Sequence, residues 1–365
     1  MTSPTTTLSE SRRSATMVAP NCESVHAAAP LRLSFAGGGT DFPHYFREHG
    51  GAVLSATVNL YALVTLYQRA DDLVKLRSLD MGEVVSYGIG EGPRYNGVLD
   101  LLKATIGRIG VECGVDVDVR SDAPAGSGLG GSSALVAACV AAVAAFRGFE
   151  LTKHELARLA YVIEREDLEI PGGMQDQYAT AFGGFNVIEF SANGVEVEPL
   201  SLRAETVEGL QARLMLCYMG RARTNTGLID RQVKLYKEGR QETLLGMKRL
   251  REAVYSMRQT LLAGDLDQFG LQLHEAYVSK KMMNPHVVEG TPADILYERA
   301  RELGAIGGKI CGAGGGGYLM LYCDPRLQPR VQLGLESLGA TFAPIALQEA
   351  ALRVWKAAPA WATTA

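Results

Sequence analysis

The chain of 365 residues is 47% hydrophobic and 21% charged, with a formal net charge of −4. This size and balance are typical of a globular protein with about two domains of roughly 150 residues. The charges are interspersed and form no basic stripe, which argues against nucleic-acid binding. The longest apolar run, 134–146, is shorter than the about 20 residues that a membrane span needs.

The N-terminal residues and the cysteines point to a cytoplasmic protein. Residues 1–28 are rich in Ser, Thr and Ala and lack the charged start and apolar run of a signal peptide, so we expect a disordered extension. None of the six cysteines is spaced as CxxC, which argues against a zinc knuckle or a dithiol redox site. We therefore expect reduced core thiols.

The predicted elements begin near Ala29 and fall into two groups. The first group has strands at 31–35, within 51–68 and at 115–120, then a helix from about 132 and a helix over 152–168. The second group has strands at 213–218 and 318–323 and helices over 227–263, 266–283 and 292–303. The change near 190–205 predicts two α+β domains, one over 29–200 and one over 201–365.

The segment 124–134, PAGSGLGGSSA, lies between a predicted strand and a predicted helix. Glycines let backbone N–H groups approach an anion, and a helix N-terminus adds unpaired donors and the positive end of its dipole. The segment therefore predicts a phosphate-binding loop. The residues expected to bind phosphate are Pro124, Gly126, Ser127, Gly128, Leu129, Gly130, Gly131, Ser132 and Ser133.

Two other interpretations of this loop are weaker. One is a glycine-rich turn with a serine cap and no ligand, for which so many glycines and serines are excessive. The other is a dinucleotide-binding fingerprint, because Gly126, Gly128 and Gly131 match G-x-G-x-x-G. The preceding strand alternates instead of being continuously apolar, which weakens that match. A Walker A loop is excluded because no lysine follows at the required spacing.

Three segments, in order, resemble the motifs of the GHMP kinase family. The loop resembles P-x-x-x-G-L-x-S-S-A, with one additional residue before Ala134. The segment 29–42, APLRLSFAGGGTDF, resembles the N-terminal motif of the galactokinase-like members, and 309–318, KICGAGGGGY, resembles the third motif. The resemblance implies a two-domain fold, with an N-terminal domain like ribosomal protein S5 domain 2 and a ferredoxin-like C-terminal domain. It also implies ATP and Mg²⁺ as cofactors.

The resemblance assigns catalytic roles to Asp176 and Arg32. Asp176 would accept the proton of the acceptor hydroxyl, or orient that hydroxyl. Arg32 would stabilise charge on the phosphoryl group and keep Asp176 ionised.

The resemblance also assigns Mg²⁺ binding to Glu164 and Ser132, since Mg²⁺ takes one or two carboxylates plus phosphate oxygens. Without the motifs, Glu164 would read as part of a solvated charge run. Because the loop has an additional residue, the motif does not decide which serine would bind Mg²⁺. Counting from Gly128 selects Ser132, and counting back from Ala134 selects Ser133.

The first motif also bears on the acceptor. In galactokinase-like members its aspartate, here Asp41, holds sugar hydroxyls. Galactokinases have Glu-His where this chain has Gly38 and Gly39, so we expect a roomier pocket and not galactose. The motif variants together resemble most the D-glycero-D-manno-heptose 7-phosphate kinases, which phosphorylate the anomeric hydroxyl. The residues expected to bind the substrate are Asp41, Gly38, Gly39, Thr40, Gly173, Gln175, Lys280 and Arg223.

Lys280 and Arg223 would receive a phosphate already present on the sugar, although both also read as surface charges. A fucose-type or other sugar-1-kinase is an alternative. So are a non-catalytic homologue that binds sugar and ATP, and an NAD-binding oxidoreductase that uses the glycine loop. We expect a sugar or sugar phosphate as partner, with no nucleic acid and no membrane. The oligomeric state stays open, a homodimer included.

Overall fold

A computed structural model describes residues 24–220 and 227–357 of the chain. The strands are β1 Ser24–Ala36, β2 Gly51–Gln68, β3 Leu73–Ser78, β4 Glu83–Gly88, β5 Val115–Ser121, β6 Phe185–Ser191, β7 Gly194–Pro199, β8 Leu214–Tyr218, β9 Ala305–Ile310, β10 Tyr318–Cys323, β11 Thr341–Ala343, β12 Leu347–Gln348 and β13 Arg353–Ala357. The helices are α1 Pro43–His49, α2 Asp100–Ile109, α3 Gly131–Phe146, α4 Lys153–Tyr161, α5 Gln175–Phe182, α6 Ala204–Arg213, α7 Leu228–Lys237, α8 Gln241–Ala263, α9 Leu266–Met283, α10 Pro285–Val288, α11 Pro292–Leu303 and α12 Gln328–Glu336.

The larger sheet is organised by β2, whose 18 residues pair with several strands in turn. Its first residues, 51–56, pair with β6, and its last residues, 62–68, pair with β5. The sheet order is β13-β1-β2-β5-β3-β4, with β6, β7 and β12 off this path. Strands β3 and β5 are parallel and the other described pairs are antiparallel. The long β-branched run of β2 therefore holds the sheet together.

Helix α3 crosses the larger sheet and lies in the core. Its sequence, GSSALVAACVAAVAAF, is mostly alanine and valine, and Val136 to Val140 are fully buried. Alanine has the highest helix propensity and lets a helix pack closely on its neighbours. Because α3 packs against β1 and β2, its N-terminus and the preceding glycine loop are fixed against β1.

The smaller sheet has the order β11-β8-β10-β9 and is antiparallel throughout. Helices α9 and α11 pack against β9, and α9 also packs on α8. Strand β10, YLMLYC, is buried along its whole length, because helices α9 and α11 and the first domain cover it. This arrangement brings β9 and the glycine cluster 312–317 against the first domain.

The structure corrects two expected boundaries. Residues 24–28 are not part of a disordered extension, since they form the start of β1 and pair with Arg353–Ala357 of β13. Residues 1–23 and 358–365 lie outside the described residues. Strands β12 and β13 return to the larger sheet, so the last strands of the predicted domain 201–365 pack with the first domain. Residues paired in β1 and β13 are more than 300 positions apart, so the pairing leaves no local sequence signal.

Two predicted helices are interrupted. The helix expected over 227–263 consists of α7 and α8, because Gly239 takes a left-handed backbone conformation that ends α7. The helix expected over 152–168 begins with the predicted capping box of Thr152 and Glu155. It then becomes a π-helical turn over Val162–Asp167, which contains Glu164. Such turns often accompany functional sites.

No helix within residues 24–220 and 227–357 is long and apolar enough to cross a membrane. The five cysteines in these ranges are unpaired thiols, and four of them are buried. Cys22 lies outside them.

Candidate active site

The centre of the site is an ion pair between Arg32 on β1 and Asp176 in the first turn of α5. The Nε and Nη2 atoms of Arg32 both donate to Oδ1 of Asp176, at 2.8 and 2.5 Å. Arg32 is 3% exposed, whereas the Asp176 side chain is 19% exposed. A carboxylate in the first turn of a helix is also stabilised by the helix dipole. The pair therefore has a fixed cation and a carboxylate with one accessible side.

The glycine loop is bonded to the same arginine. Nη1 of Arg32 donates to the carbonyl of Gly128 at 2.7 Å, and its backbone N–H donates to the carbonyl of Leu129 at 3.0 Å. A β-carbon placed on Gly130 would lie 3.3 Å from Cγ of Asp176. The loop backbone therefore runs directly past Asp176, and a side chain at position 130 would press against that carboxylate.

The second glycine cluster packs on the first. A β-carbon placed on Gly312 would lie 2.7 Å from Cα of Gly128, and one on Gly317 would lie 2.5 Å from the carbonyl oxygens of Gly126 and Ser127. The backbone N–H of Tyr318 donates to the carbonyl of Ser127 at 3.0 Å. The second cluster therefore lets two backbones approach closely, and the contact joins β10 to the predicted phosphate-binding loop.

The structure places Ser133, and not Ser132, beside Glu164. Oγ of Ser133 donates to Oε2 of Glu164 at 2.6 Å, and Nε2 of Gln177 donates to the same oxygen at 2.7 Å. Ser133 and Glu164 are 1% and 2% exposed, while Ser132 is exposed. Burial raises the pKa of Glu164, and the Arg165 guanidinium, 3.4 Å from Oε1, opposes that shift. The geometry therefore favours Ser133, the serine that counting back from Ala134 selects, as the metal ligand.

Asp41 lies in the loop before α1 and is 1% exposed. Its Oδ1 accepts from the backbone N–H of Gly39 at 2.9 Å, and its Oδ2 accepts from that of Gln175 at 3.1 Å. Burial raises its pKa, and the nearby Asp176 carboxylate raises it further. A β-carbon on Gly173 would collide with Asp41 Oδ2. Gly173 therefore lets the segment before α5 close onto Asp41.

Thr40 has a different position from the one expected. Its hydroxyl donates towards the carbonyls of Gly37 and Ala52, at 2.8 and 2.9 Å, and accepts from the N–H of Ala52 at 3.1 Å. It is completely buried. These bonds use the hydroxyl fully, so Thr40 fixes the loop to β2 and does not face a sugar.

Gly38 and Gly39 border a polar space. A β-carbon on Gly38 would lie 3.6 Å from Nε2 of Gln175 and 3.7 Å from Nζ of Lys309. A β-carbon on Gly39 would lie 2.9 Å from Nε2 of Gln232 in α7. A β-carbon on Gly39 would also lie 2.9 Å from Sδ of Met283, so α7 and α9 pack closely on Gly39, whereas polar side chains surround Gly38 at ordinary contact distance.

Two lysines are buried in this region. Lys280 is 5% exposed and its Nζ donates to the carbonyl of Gly312 at 2.5 Å. Lys309 is 3% exposed and its Nζ donates to the carbonyl of Ser34 at 2.6 Å. Burial lowers the pKa of Lys280 to about 8, and burial together with the Lys280 charge lowers the pKa of Lys309 to about 7. Lys280 is therefore not the ordinary surface charge that it resembles in the sequence.

The structure thus brings most of the predicted site residues together around the glycine loop. Arg223 lies outside the described residues. Pro124 and Gly126 are exposed at the entrance of the loop, and Ser127 and Leu129 are buried within it. Sequence reasoning missed Lys309 and Gln177 as members of the site. A lysine in the buried strand β9, next to the third glycine motif, was the signal that could have found Lys309.

Chemically, the site combines parts that phosphoryl transfer requires. The loop and the N-terminus of α3 supply backbone donors for phosphate. A buried carboxylate and a hydroxyl, Glu164 and Ser133, match the oxygen ligands that Mg²⁺ prefers. No group of three His, Cys, Asp or Glu residues suited to a metal occurs among the described residues. A Mg²⁺ site that phosphate oxygens complete agrees with that finding.

Comparisons with known proteins identify the family of the chain. The family model described as GHMP kinases N terminal domain matches residues 95–184, and that described as GHMP kinases C terminal matches 257–341. The D-glycero-alpha-D-manno-heptose 7-phosphate kinase of Campylobacter jejuni is 35% identical over 312 residues, which cover 83% of this chain and 90% of that protein.

Solved structures give the same result. A D-glycero-D-manno-heptose 1-phosphate kinase from Bacteroides thetaiotaomicron is 31% identical with a TM-score of 0.77, covering 91% of this chain and 99% of that one. Galactokinase of Lactococcus lactis, solved with galactose, has a TM-score of 0.74 at 20% identity, covering 90% of this chain and 95% of that one, and shares the fold.

Proposed function

The chain belongs to the GHMP kinase family and is an ATP-dependent sugar kinase, and on that premise we propose that it phosphorylates the anomeric hydroxyl of D-glycero-D-manno-heptose 7-phosphate. The product would be the 1,7-bisphosphate. The two similar heptose kinases are both named as kinases of a heptose phosphate, with the phosphate at position 7 in one name and at position 1 in the other. We choose the 7-phosphate as the proposed acceptor because the relative that is 35% identical is named as a heptose 7-phosphate kinase.

One observation carries the proposal: the carboxylate of Asp176 stands beside Gly130 of the glycine loop, held by Arg32. A phosphoryl group on the loop would therefore lie next to a carboxylate that can accept a proton from an incoming alcohol. Phosphoryl transfer depends mainly on such positioning and on neutralising charge at the transferring group. Arg32, which also bonds the loop, supplies a fixed positive charge there.

The chain's own residues divide these tasks. Backbone N–H groups of the loop and of the start of α3 would bind the phosphates of ATP. Ser133 and Glu164 would hold Mg²⁺, which, when bound, neutralises phosphate charge. Asp176 would orient the acceptor hydroxyl and take its proton through Oδ2. Asp41 would accept hydrogen bonds from other sugar hydroxyls.

The pocket supports a heptose phosphate over galactose. Galactokinases have a glutamate and a histidine where this chain has Gly38 and Gly39, so neither of those two polar side chains is present to contact galactose. Buried cations at Lys280 and Lys309 suit an acceptor that already carries negative charge.

A direct test measures ADP formation with a panel of acceptors: heptose 7-phosphate, the unphosphorylated heptose, fucose, mannose and galactose. The proposal expects the highest kcat/KM with heptose 7-phosphate and little ADP without an acceptor. A thermal-shift comparison of Mg-ATP with NAD(H) accompanies it, and only Mg-ATP should stabilise the protein. Faster turnover with fucose or galactose would replace the proposed acceptor, and absence of turnover with every acceptor would support the non-catalytic alternative.

A further inference from the structure

Arg165 follows Glu164 in the π-helical turn, and its side chain is 12% exposed. Its Nη2 lies 3.4 Å from Oε1 of Glu164, whereas the hydrogen bond from Ser133 goes to Oε2. Its Nη1 donates to the carbonyls of Ile170 and Pro171, at 3.3 and 3.2 Å. One guanidinium group therefore contacts both the candidate metal ligand and the segment that leads to α5.

That segment, 169–172, has no buried side chain. Glu169 has a φ of 53°, in the left-handed region that residues other than glycine rarely adopt. Such a conformation is strained, and it persists only where the surrounding structure holds it. The backbone N–H of Ile170 donates to the Glu164 carbonyl at 3.2 Å, and the two bonds from Arg165 hold the carbonyls that follow Glu169. Polar contacts, and not core packing, therefore fix the segment.

Gly172 lets the guanidinium group of Arg165 pack directly on the backbone. A β-carbon on Gly172 would overlap that group and would lie 2.6 Å from its Nη1. Nε of Arg165 is buried at this contact and has no hydrogen-bond partner within residues 24–220 and 227–357. The fit therefore depends on a planar side chain at 165 and on the absence of a side chain at 172.

The residues after this segment form the acceptor side of the site. Gly173 lies so close to Asp41 that a β-carbon would collide with Oδ2, and the N–H of Gln175 donates to the same oxygen at 3.1 Å. Asp176 then accepts the hydrogen bonds from Arg32 in the first turn of α5. Because the backbone is continuous, a shift of the segment would move the contacts of both carboxylates.

We propose that Arg165 is a positioning residue for the kinase reaction. It fixes the segment 169–172 against the Glu164 carboxylate, and it thereby holds Asp41 and Asp176 in their places relative to the glycine loop. It contacts neither ATP nor the acceptor. The inference rests on the proposed kinase function, and it assigns part of the rate to a side chain outside the substrate contacts.

The first test compares Arg165→Met with Arg158→Met. Methionine keeps much of the apolar stem and loses every bond of the guanidinium group. Arg158 lies on α4, is 50% exposed and pairs with Glu166 at 2.9 Å, so it is a matched control. We expect kcat/KM for the acceptor to fall at least about 30-fold in Arg165→Met and less than about threefold in Arg158→Met, since a displacement of about 1 Å can cost about 100-fold. Equal losses in the two variants would overturn the proposal.

Arg165→Lys separates the two contacts of the side chain. An ammonium group keeps a positive charge near Glu164, but it cannot span a carboxylate and two carbonyls as a planar guanidinium does. We expect the Mg²⁺ concentration that gives half-maximal activity to change less than about threefold, while kcat/KM for the acceptor falls at least about tenfold. Wild-type acceptor kinetics in Arg165→Lys would show that charge alone suffices and would overturn the positioning role.

Gly172→Ala tests the same contact from the other side. Gly172 does not have a left-handed φ, so an alanine there disturbs the guanidinium group and not the backbone. We expect kcat/KM to fall at least about tenfold, and the double variant with Arg165→Met to lose less than about threefold beyond Arg165→Met, since residues in contact are not additive. Gly90→Ala is the control, because nothing lies within 4 Å of a β-carbon there. Losses that multiply would mean that the two residues act independently and would overturn the contact.

Chemical rescue distinguishes positioning from a purely structural role. Guanidinium ion is added to Arg165→Ala at about 50 mM, far below denaturing concentrations. We expect kcat to recover at least about fivefold, because the ion can bond the same carboxylate and carbonyls. Sodium chloride at equal ionic strength should give no recovery, and neither should guanidinium with Asp176→Asn. Absence of recovery in Arg165→Ala would leave Arg165 as a residue that only stabilises the fold.

Failure of this role and failure of the proposed function are distinguishable. The assays use the acceptor with the highest kcat/KM in the panel, so they do not depend on its identity. If Arg165→Met matches the wild type while the wild type forms ADP with a sugar, only the positioning role is wrong. If the wild type forms ADP with no acceptor, the proposed function is wrong and the role of Arg165 with it.

Discussion

Arg32 holds Asp176 by a single carboxylate oxygen. Both hydrogen bonds from the guanidinium end on Oδ1, and Oδ2 accepts no bond from the described residues. Oδ2 instead faces the position of Gly130, where a β-carbon would lie 3.4 Å from it. One oxygen therefore orients the side chain and the other is available to an acceptor hydroxyl.

The first prediction concerns this carboxylate. Asp176→Asn removes the proton acceptor but leaves the loop, Ser133 and Glu164 in place. We expect kcat to fall about 10²- to 10⁴-fold, the usual contribution of a general base, while Mg-ATP binding changes less than about threefold. Steady-state kinetics and calorimetric titration of Mg-AMPPNP measure the two quantities. The exposed Asp72, changed to Asn, is the control. Near-normal kcat in Asp176→Asn would remove Asp176 from the chemistry.

The second prediction decides between the two serines. Ser133→Ala removes the hydroxyl that bonds Glu164 at 2.6 Å, and Ser132→Ala removes an exposed hydroxyl one residue away. We expect the Mg²⁺ concentration that gives half-maximal activity to rise at least about tenfold in Ser133→Ala and less than about threefold in Ser132→Ala. The reason is that, of the two hydroxyls, only that of Ser133 bonds Glu164 and could bind the same Mg²⁺ ion. The reverse order would restore Ser132 as the metal ligand.

The third prediction concerns Gly173. A β-carbon there would collide with Asp41 Oδ2, so Gly173→Ala must displace either Asp41 or the segment before α5. We expect KM for the acceptor to rise at least about tenfold, because a displacement of about 1 Å at a site can cost about 100-fold. Gly90→Ala is a matched control, because nothing lies within 4 Å of a β-carbon at that position. Unchanged acceptor kinetics in Gly173→Ala would mean that Asp41 does not contact the sugar.

The fourth prediction uses the titration of Lys309. Burial lowers its pKa from 10.5 to about 7. Between those values the unfolded chain holds a proton that the folded chain has lost, so the lysine makes the free energy of unfolding rise with pH in that window. Lys309→Met removes the contribution, so its free energy of unfolding should rise less than that of the wild type, by about 2 to 3 kcal/mol between pH 7 and pH 9.

Urea unfolding at the two pH values measures this difference. The contributions of other groups are present in both proteins and largely cancel in the comparison. Exposed Lys248, changed to Met, should leave the wild-type pH dependence unchanged. Parallel pH dependences for the wild type and Lys309→Met would show that Lys309 keeps its proton when the protein is folded.

Much of the fold could be predicted from local patterns. The two-domain GHMP kinase fold is confirmed, and α9 and α11 occupy the predicted ranges 266–283 and 292–303. The capping box at Thr152 depends on four neighbouring residues, so the sequence contains its whole signal. The pairing of β1 with β13 could not be predicted in this way, because the residues of each strand do not indicate which distant strand will pair with it.

The site could be predicted only where a motif fixes the position. Arg32 and Asp176 are 144 residues apart, and their contact followed from the order of the motifs and not from spacing. The direction in which a side chain points could not be predicted from the sequence. Thr40 turns towards β2, and the additional loop residue shifts Ser133, not Ser132, to Glu164. Lys309 was missed because burial of a lysine in a strand depends on what packs over it.

The most direct test of the central claim is the position of the new phosphate. The wild-type enzyme is incubated with Mg-ATP and heptose 7-phosphate, and the product is analysed by ³¹P and ¹H NMR. The account predicts one ADP per product and a new phosphorus signal coupled to the anomeric proton, absent with Asp176→Asn on the same timescale. A phosphate on any other carbon, or ADP formed without a phosphorylated sugar, would contradict it.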